Sequence, residues 1–223
     1  MDDAVRATLR RLSERYQLWF ISGRDADDVR RMVDIVSAGY IGAHGLEVLD
    51  EHGLHPLTSI EGVHSQLQEL VQAVTADVPE AAPYVEHKRW SIAFHYRALP
   101  PSSQLADRLR RSVEGHLSPA LRLRPGKMVL EVLPAAQHDK GRALEWLLGA
   151  IAPARVLAAG DDLTDVTMFQ VVAERRARGE IDGLSVAVLH DAETPDEVVA
   201  AADTTVDGVS GLHELLLTLL DNS

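Results

Sequence analysis

The sequence predicts an α/β fold: a doubly wound parallel core interrupted by an inserted α+β region. Three observations carry that expectation. Beyond Lys140, apolar runs (RVLAAG, LSVAV) alternate with helical stretches, as parallel crossover units require. A similar strand-then-helix pair, QLWFIS followed by a helix start at Asp25, lies near the beginning. Between them, Ser91–Tyr96 alternates at period two, the mark of a half-exposed antiparallel strand. The expected core is residues 1–53 and 134–223, and the expected insertion is 54–133.

Each element has a local reason. Val5, Leu9 and Leu12 share one face of a helix over 3–15, and LWFI reads as a short buried strand. Asp25 offers a cap to a helix reaching Met32. GYIGAHGLEVLDEHGLHPL holds two apolar runs broken by Gly, hence strands and a hairpin. Val63, Leu67, Leu70 and Val74 keep helical register over 63–77. A helix near 102–117 and strands near 121–124 and 128–132 complete the insertion. The closing run is helix 140–150, strand RVLAAG, helix 165–174, strand LSVAV, and helices 195–201 and 209–220.

Composition narrows the partners. Hydrophobic residues make up 46% of 223, enough for a substantial core. Lys and Arg total 22 against 34 Asp and Glu, a formal charge of -12 that repels phosphate backbones and anionic lipid. Nucleic acid and membrane are therefore not expected partners. Cysteine is absent, which excludes disulfide and thiol chemistry. No apolar run approaches the roughly 20 residues of a spanning helix. The opening MDDAVRATLRRLSERY is charged rather than leader-like, so a cytoplasmic location is expected.

Three short motifs could carry chemistry. GDDLTD follows the strand RVLAA, and open α/β sheets place ligands at such carboxyl ends. Asp161, Asp162 and Asp165 could bind a hard cation such as Mg²⁺, which takes oxygen ligands. A solvated helix cap fits the same residues. ISGR ends the LWFI strand, where the Ser22 hydroxyl, backbone N–H groups and Arg24 suit a phosphate oxygen. A polar turn capping the next helix is the plainer reading. HDKG places Lys140 at a helix start, where an ammonium could neutralise a transferring phosphoryl group, or simply face solvent.

SGR, DKG and GDDLTD, in that order, resemble motifs two to four of the haloacid dehalogenase phosphatases. GAHGLEV, EHKRWSIAFHYR and GKMVLEVLP are similar to segments of the trehalose-phosphate phosphatase family, so the likeness runs from Trp19 to Phe169. The resemblance implies hydrolysis of trehalose 6-phosphate to trehalose and phosphate with Mg²⁺, the insertion acting as a cap. It gives Ser22 a hydrogen bond to the phosphoryl group, Lys140 its stabilisation, and Asp161 the metal, supported by Asp162 and Asp165. It assigns sugar and phosphate contacts to Arg24, His44, Glu86, Lys88, His95, Arg97 and Glu131. It also puts a trehalose-phosphate synthase among the expected partners. Plainer roles stay open: a tight turn for His44, exposed charges for Glu86 and Lys88, solvated strand for His95 and Arg97, a rim for Glu131, and packing for Trp90.

One departure stands out. The family opens with an apolar strand and Asp-x-Asp-Gly-Thr, whose first Asp attacks phosphorus and whose second transfers protons. Here only Asp2 and Asp3 precede, without the strand or the spacing, and neither takes that role. The implied fold is a haloacid dehalogenase-like Rossmannoid core lacking its first, central strand. Buried backbone groups without partners cost about 1–3 kcal/mol each. Several would approach the roughly 5–15 kcal/mol net stability of a domain. The flanking strands LWFI and RVLAA are thus expected to close up, leave a gap, or be poorly stable. A start codon set too far downstream or a truncated gene is the expected explanation, a shortened protein the alternative. The chain itself is expected to be inactive. The rivals are another sugar-phosphate phosphatase of the superfamily and a non-catalytic sugar-phosphate-binding protein.

Overall fold

The computed structural model describes residues 1–57, 62–97, 103–135, 138–190 and 194–221. Two compact units divide it: Met1–Leu57 with His138–Ser223, and Thr58–Gln137. No helix among the described residues is long and apolar enough to cross a membrane.

The first unit opens with α1 (Asp3–Ser13), β1 (Trp19–Ile21), α2 (Ala26–Val33), β2 (Gly39–Gly42), β3 (Glu47–Asp50) and β4 (Gly53–Pro56). Asp2 caps α1 by accepting the Ala4 N–H at 2.7 Å, and Asp3 pairs with Arg6 at 2.8 Å. Both early carboxylates are therefore engaged in starting a helix. β1 pairs parallel with β2, and β2, β3 and β4 continue antiparallel. β4 thus stays with its hairpin partner β3, in a unit that runs to Leu57 rather than stopping at residue 53. Tyr40 on β2 is fully buried, stacks on Phe20 at 5.5 Å, and donates its hydroxyl to the Ile35 carbonyl at 2.7 Å.

The second unit holds α3 (Val63–Asp77), a 3₁₀ turn (Pro79–Tyr84), β5 (Val85–His87), β6 (Ile92–His95), α4 (Ser103–Gly115), β7 (Leu121–Gly126) and β8 (Val129–Pro134). The α4 start expected near residue 102 lies outside the described residues. The strands form one antiparallel sheet, β5-β6-β8-β7. Val63, Leu67, Leu70 and Val74 of α3 and Leu105, Leu109 and Val113 of α4 bury against Ile92, Phe94, Leu130 and Val132. The period-two alternation sends the neighbouring residues, Glu86, His95 and Glu131 among them, to the opposite face.

The first unit resumes with α5 (Lys140–Ile151), β9 (Arg155–Gly160), α6 (Val166–Ala177), β10 (Asp182–Leu189), α7 (Asp196–Ala201), β11 (Thr204–Asp207) and α8 (Gly208–Asp221). β9, β10 and β11 make a second, wholly parallel sheet in the order β11-β10-β9. Among the described residues β1 and β9 do not pair: each ends its own sheet. Their apolar side chains are mostly half-buried, Trp19, Phe20, Ile21, Val156 and Leu157 alike. Of the three arrangements expected for these strands, the hydrogen bonds exclude closure of one on the other.

Candidate active site

Two loops meet after β1 and β2. Ser22 N–H donates to the Ile41 carbonyl at 2.9 Å, His44 N–H to Ser22 O at 2.9 Å, and Ala43 N–H to Arg24 O at 2.8 Å. The SGR turn is thereby zipped to the AHG turn, and Ser22, Arg24 and His44 come together. Gly23 leaves room for the His44 ring: a Cβ would lie 2.5 Å from it and push it aside. Ala43 and His44 both hold left-handed backbone, φ 50° and 57°, a conformation that costs non-glycine residues energy and gathers at functional turns. Glu47, fully buried, accepts the Ala26 N–H at 2.6 Å and anchors the start of α2 behind this turn. The sequence reading overlooked Glu47; a lone acid inside an apolar strand run was the available signal.

The same turn reaches the third motif. Gly45 packs on the Asp139 carbonyl, 2.9 Å from the position a Cβ would take. Asp139 caps α5 by accepting the Arg142 N–H at 2.8 Å, which sets Lys140 in the first turn. Lys140 is buried, and its Nζ donates to Asp165 Oδ1 at 2.7 Å. Asp165, 3% exposed, spends its other oxygen on the N–H groups of Asp161 and Asp162, at 3.0 and 3.1 Å. A Cβ on Gly160 would strike the Asp165 carboxyl carbon at 2.2 Å, so only glycine lets the loop close this tightly. ISGR, DKG and GDDLTD are therefore joined by an unbroken series of contacts inside one unit.

The three aspartates are not equivalent. One oxygen from each lies within 4.8 Å of the others, an all-oxygen donor set that fits a hard divalent cation such as Mg²⁺. Asp165 already serves one ammonium and two amides, so it supports the loop, while Asp161 and Asp162 face outward. Burial works to raise the Asp162 carboxyl, but the Thr164 hydroxyl and amide and the Lys140 charge outweigh it and hold it below the usual range. A cleft of about 500 Å³ opens over this loop, with His190, Thr194 and Pro195 on its far wall. His190 was missed in the sequence; its place directly after a parallel strand was the signal.

The remaining expected residues sit in the second unit, and all but Arg97 fall into two small groups there. Glu86 Oε2 and His95 Nε2 are 2.7 Å apart. Glu131 takes Lys88 Nζ at 3.1 Å and the Ser91 hydroxyl at 2.8 Å on one oxygen, and Arg124 on the other. Burial would raise Glu131, yet the Arg124, Ser91 and Lys88 donors hold it down at about 2. Arg97 is exposed, beyond the end of β6. Trp90 tilts against His64 with ring centroids 4.8 Å apart and packs on the α3–α4 core.

The sequence profile of the trehalose-phosphatase family matches residues 1–202. A trehalose-phosphate phosphatase of Mycobacterium tuberculosis is 33% identical over 175 residues, 74% of this chain and 44% of that protein. The solved trehalose-6-phosphate phosphatase of Aspergillus fumigatus superposes with TM-score 0.63 at 25% identity, over 100% of this chain and 85% of that one. A haloacid dehalogenase-like hydrolase of Bacteroides thetaiotaomicron shares the fold, with TM-score 0.66 at 16% identity over 98% and 92%. The chain spans between 14% and 50% of the length of the curated relatives it matches.

Proposed function

Since the chain belongs to the trehalose-phosphatase family and has its haloacid dehalogenase-like fold, we propose that it binds trehalose 6-phosphate for phosphomonoester hydrolysis. The observation that carries this reading is Asp165, which locks the Lys140 ammonium beside the outward carboxylates of Asp161 and Asp162. A phosphomonoester needs that pairing: a fixed cation for its own charge and an oxygen cage for a metal.

In this scheme the Ser22 hydroxyl and the turn around it hold a phosphoryl oxygen, and Arg24 and His44 flank them. Lys140 neutralises charge on the phosphoryl group. Asp161 and Asp162 would hold Mg²⁺, which when bound supplies Lewis-acid neutralisation of the phosphoryl oxygens. Asp165 keeps Lys140 and the 160–162 loop in fixed register. The sugar contacts are proposed for Glu86, Lys88, His95 and Glu131 about the polar face of the β5-β6-β8-β7 sheet, and for Arg97 beyond the end of β6. A trehalose-phosphate synthase is the proposed macromolecular partner. The covalent step is assigned to no residue described, because Asp2 and Asp3 are engaged at the start of α1.

A second reading is that this chain binds sugar phosphate without turning it over. Calorimetry with trehalose 6-phosphate, with and without Mg²⁺, beside an assay of phosphate release, separates the two. Binding that weakens in Lys140→Ala is expected under both readings, with Mg²⁺-dependent release under the first and none under the second. Release by the chain would remove the binding-only reading, and absence of binding would remove both.

A further inference from the structure

We propose that His190 is a nitrogen donor to the cation held at Asp161, tuning the site toward a first-row transition ion such as Mn²⁺ over Mg²⁺. The proposal rests on the cation reading given above.

The strands put His190 there. β9 and β10 are neighbours in one parallel sheet, with Ala187 opposite Gly160. Asp161 directly follows the first strand and His190 the second, so both stand on the same carboxyl rim. His190 Nε2 lies 3.4 Å from Asp161 Oδ2. Two donors on one ion at about 2.1 Å are separated by about 3.0 Å at right angles and about 3.4 Å at tetrahedral angles. The observed 3.4 Å is about 0.4 Å wider than an octahedral ion would hold the pair, a difference that a small turn of the exposed ring closes. The His190 N–H is held by the Thr194 hydroxyl at 2.7 Å, which fixes the backbone from which the ring projects. The ring is 45% exposed and can turn onto an ion without disturbing buried packing.

The need for another donor follows from Asp165. Its two oxygens are spent on Lys140 and on two amides, so the outward protein donors of the acidic loop are Asp161 and Asp162. Mg²⁺ accepts such a sparse oxygen set, completing its shell with water and substrate. Imidazole is poorly matched to Mg²⁺ and better matched to first-row transition ions, Mn²⁺ the weakest of them, so adding His190 shifts preference away from Mg²⁺ and least strongly toward Mn²⁺.

The test uses the 223-residue chain and the metals alone. Titration calorimetry compares Mg²⁺ with Mn²⁺, and pulsed electron paramagnetic resonance of bound Mn²⁺ reads ¹⁴N coupling. Mn²⁺ is expected to bind more tightly and to show imidazole nitrogen. In His190→Ala the nitrogen signal should vanish and Mn²⁺ binding weaken about tenfold, with Mg²⁺ changed less than about twofold. Unchanged Mn²⁺ affinity, or a nitrogen signal that survives the substitution, overturns the assignment to His190. If Asp161→Asn leaves both ions bound as before, the cation reading itself fails, and this proposal with it.

Discussion

The two units cover their sheets differently. In Thr58–Gln137, four antiparallel strands lie close in sequence and bury one face under α3 and α4, with Phe94, Leu109, Val113 and Val132 almost fully inaccessible. In the other unit two sheets end on β1 and β9, each half-exposed and without a partner on its outer side among the described residues. α8 repeats the pattern: Leu212, Leu215, Leu216, Leu217 and Leu219 are only partly covered. Antiparallel hairpins complete themselves from local sequence, whereas parallel sheets draw neighbours from distant parts of the chain. Pairing of the first kind is self-contained; pairing of the second depends on every crossover.

The comparison can be broken, most severely by removing core volume. Phe94→Ala should cost about 3–5 kcal/mol and unfold the 58–137 region in chemical denaturation; a loss below about 1 kcal/mol would show that core to be loose. Asp165→Ala should cost the other unit about 3 kcal/mol by stranding the buried Lys140 ammonium, and Lys140→Met in the same chain should recover part of it. Hydrogen exchange sharpens the contrast: amides of β6 and β8 should be protected about 100-fold more than those of β1 and β9. Equal protection would mean that the half-exposed edges cost nothing.

The smallest effect is one of pH. Glu131 titrates at about 2 when folded, below its ordinary 4.5. Its stabilisation is therefore complete above about pH 4.5 and is lost as pH falls through about 2. Because Lys88 and Arg124 are themselves close to half-exposed, solvent screening limits the contribution to about 1–2 kcal/mol. Denaturation of wild type and Glu131→Gln across that window should differ in slope, and parallel curves would refute the assignment.

Much of this was legible before any coordinates. The α3 periodicity marked Val63–Asp77, and the three motifs each stood at a strand end or helix start, which is where the chain placed them. β11 was missed because Thr204–Asp207 is four residues, mostly polar and exposed, and pairs only through distant β10. β4 was severed from β3 because a hairpin turning at Gly53 reads as a boundary when only Gly breaks are visible. The split among the aspartates was invisible for another reason. GDDLTD announces three carboxylates, but which one turns inward depends on Lys140, twenty-five residues away in sequence.

That inward carboxylate has a thermodynamic corollary. One anion serves the ammonium on one side and the loop bearing Asp161 and Asp162 on the other. Whatever draws on one flank must register at the opposite one. A cation and an oxyanion should then help or hinder each other by the same factor in either order of addition, as reciprocity demands.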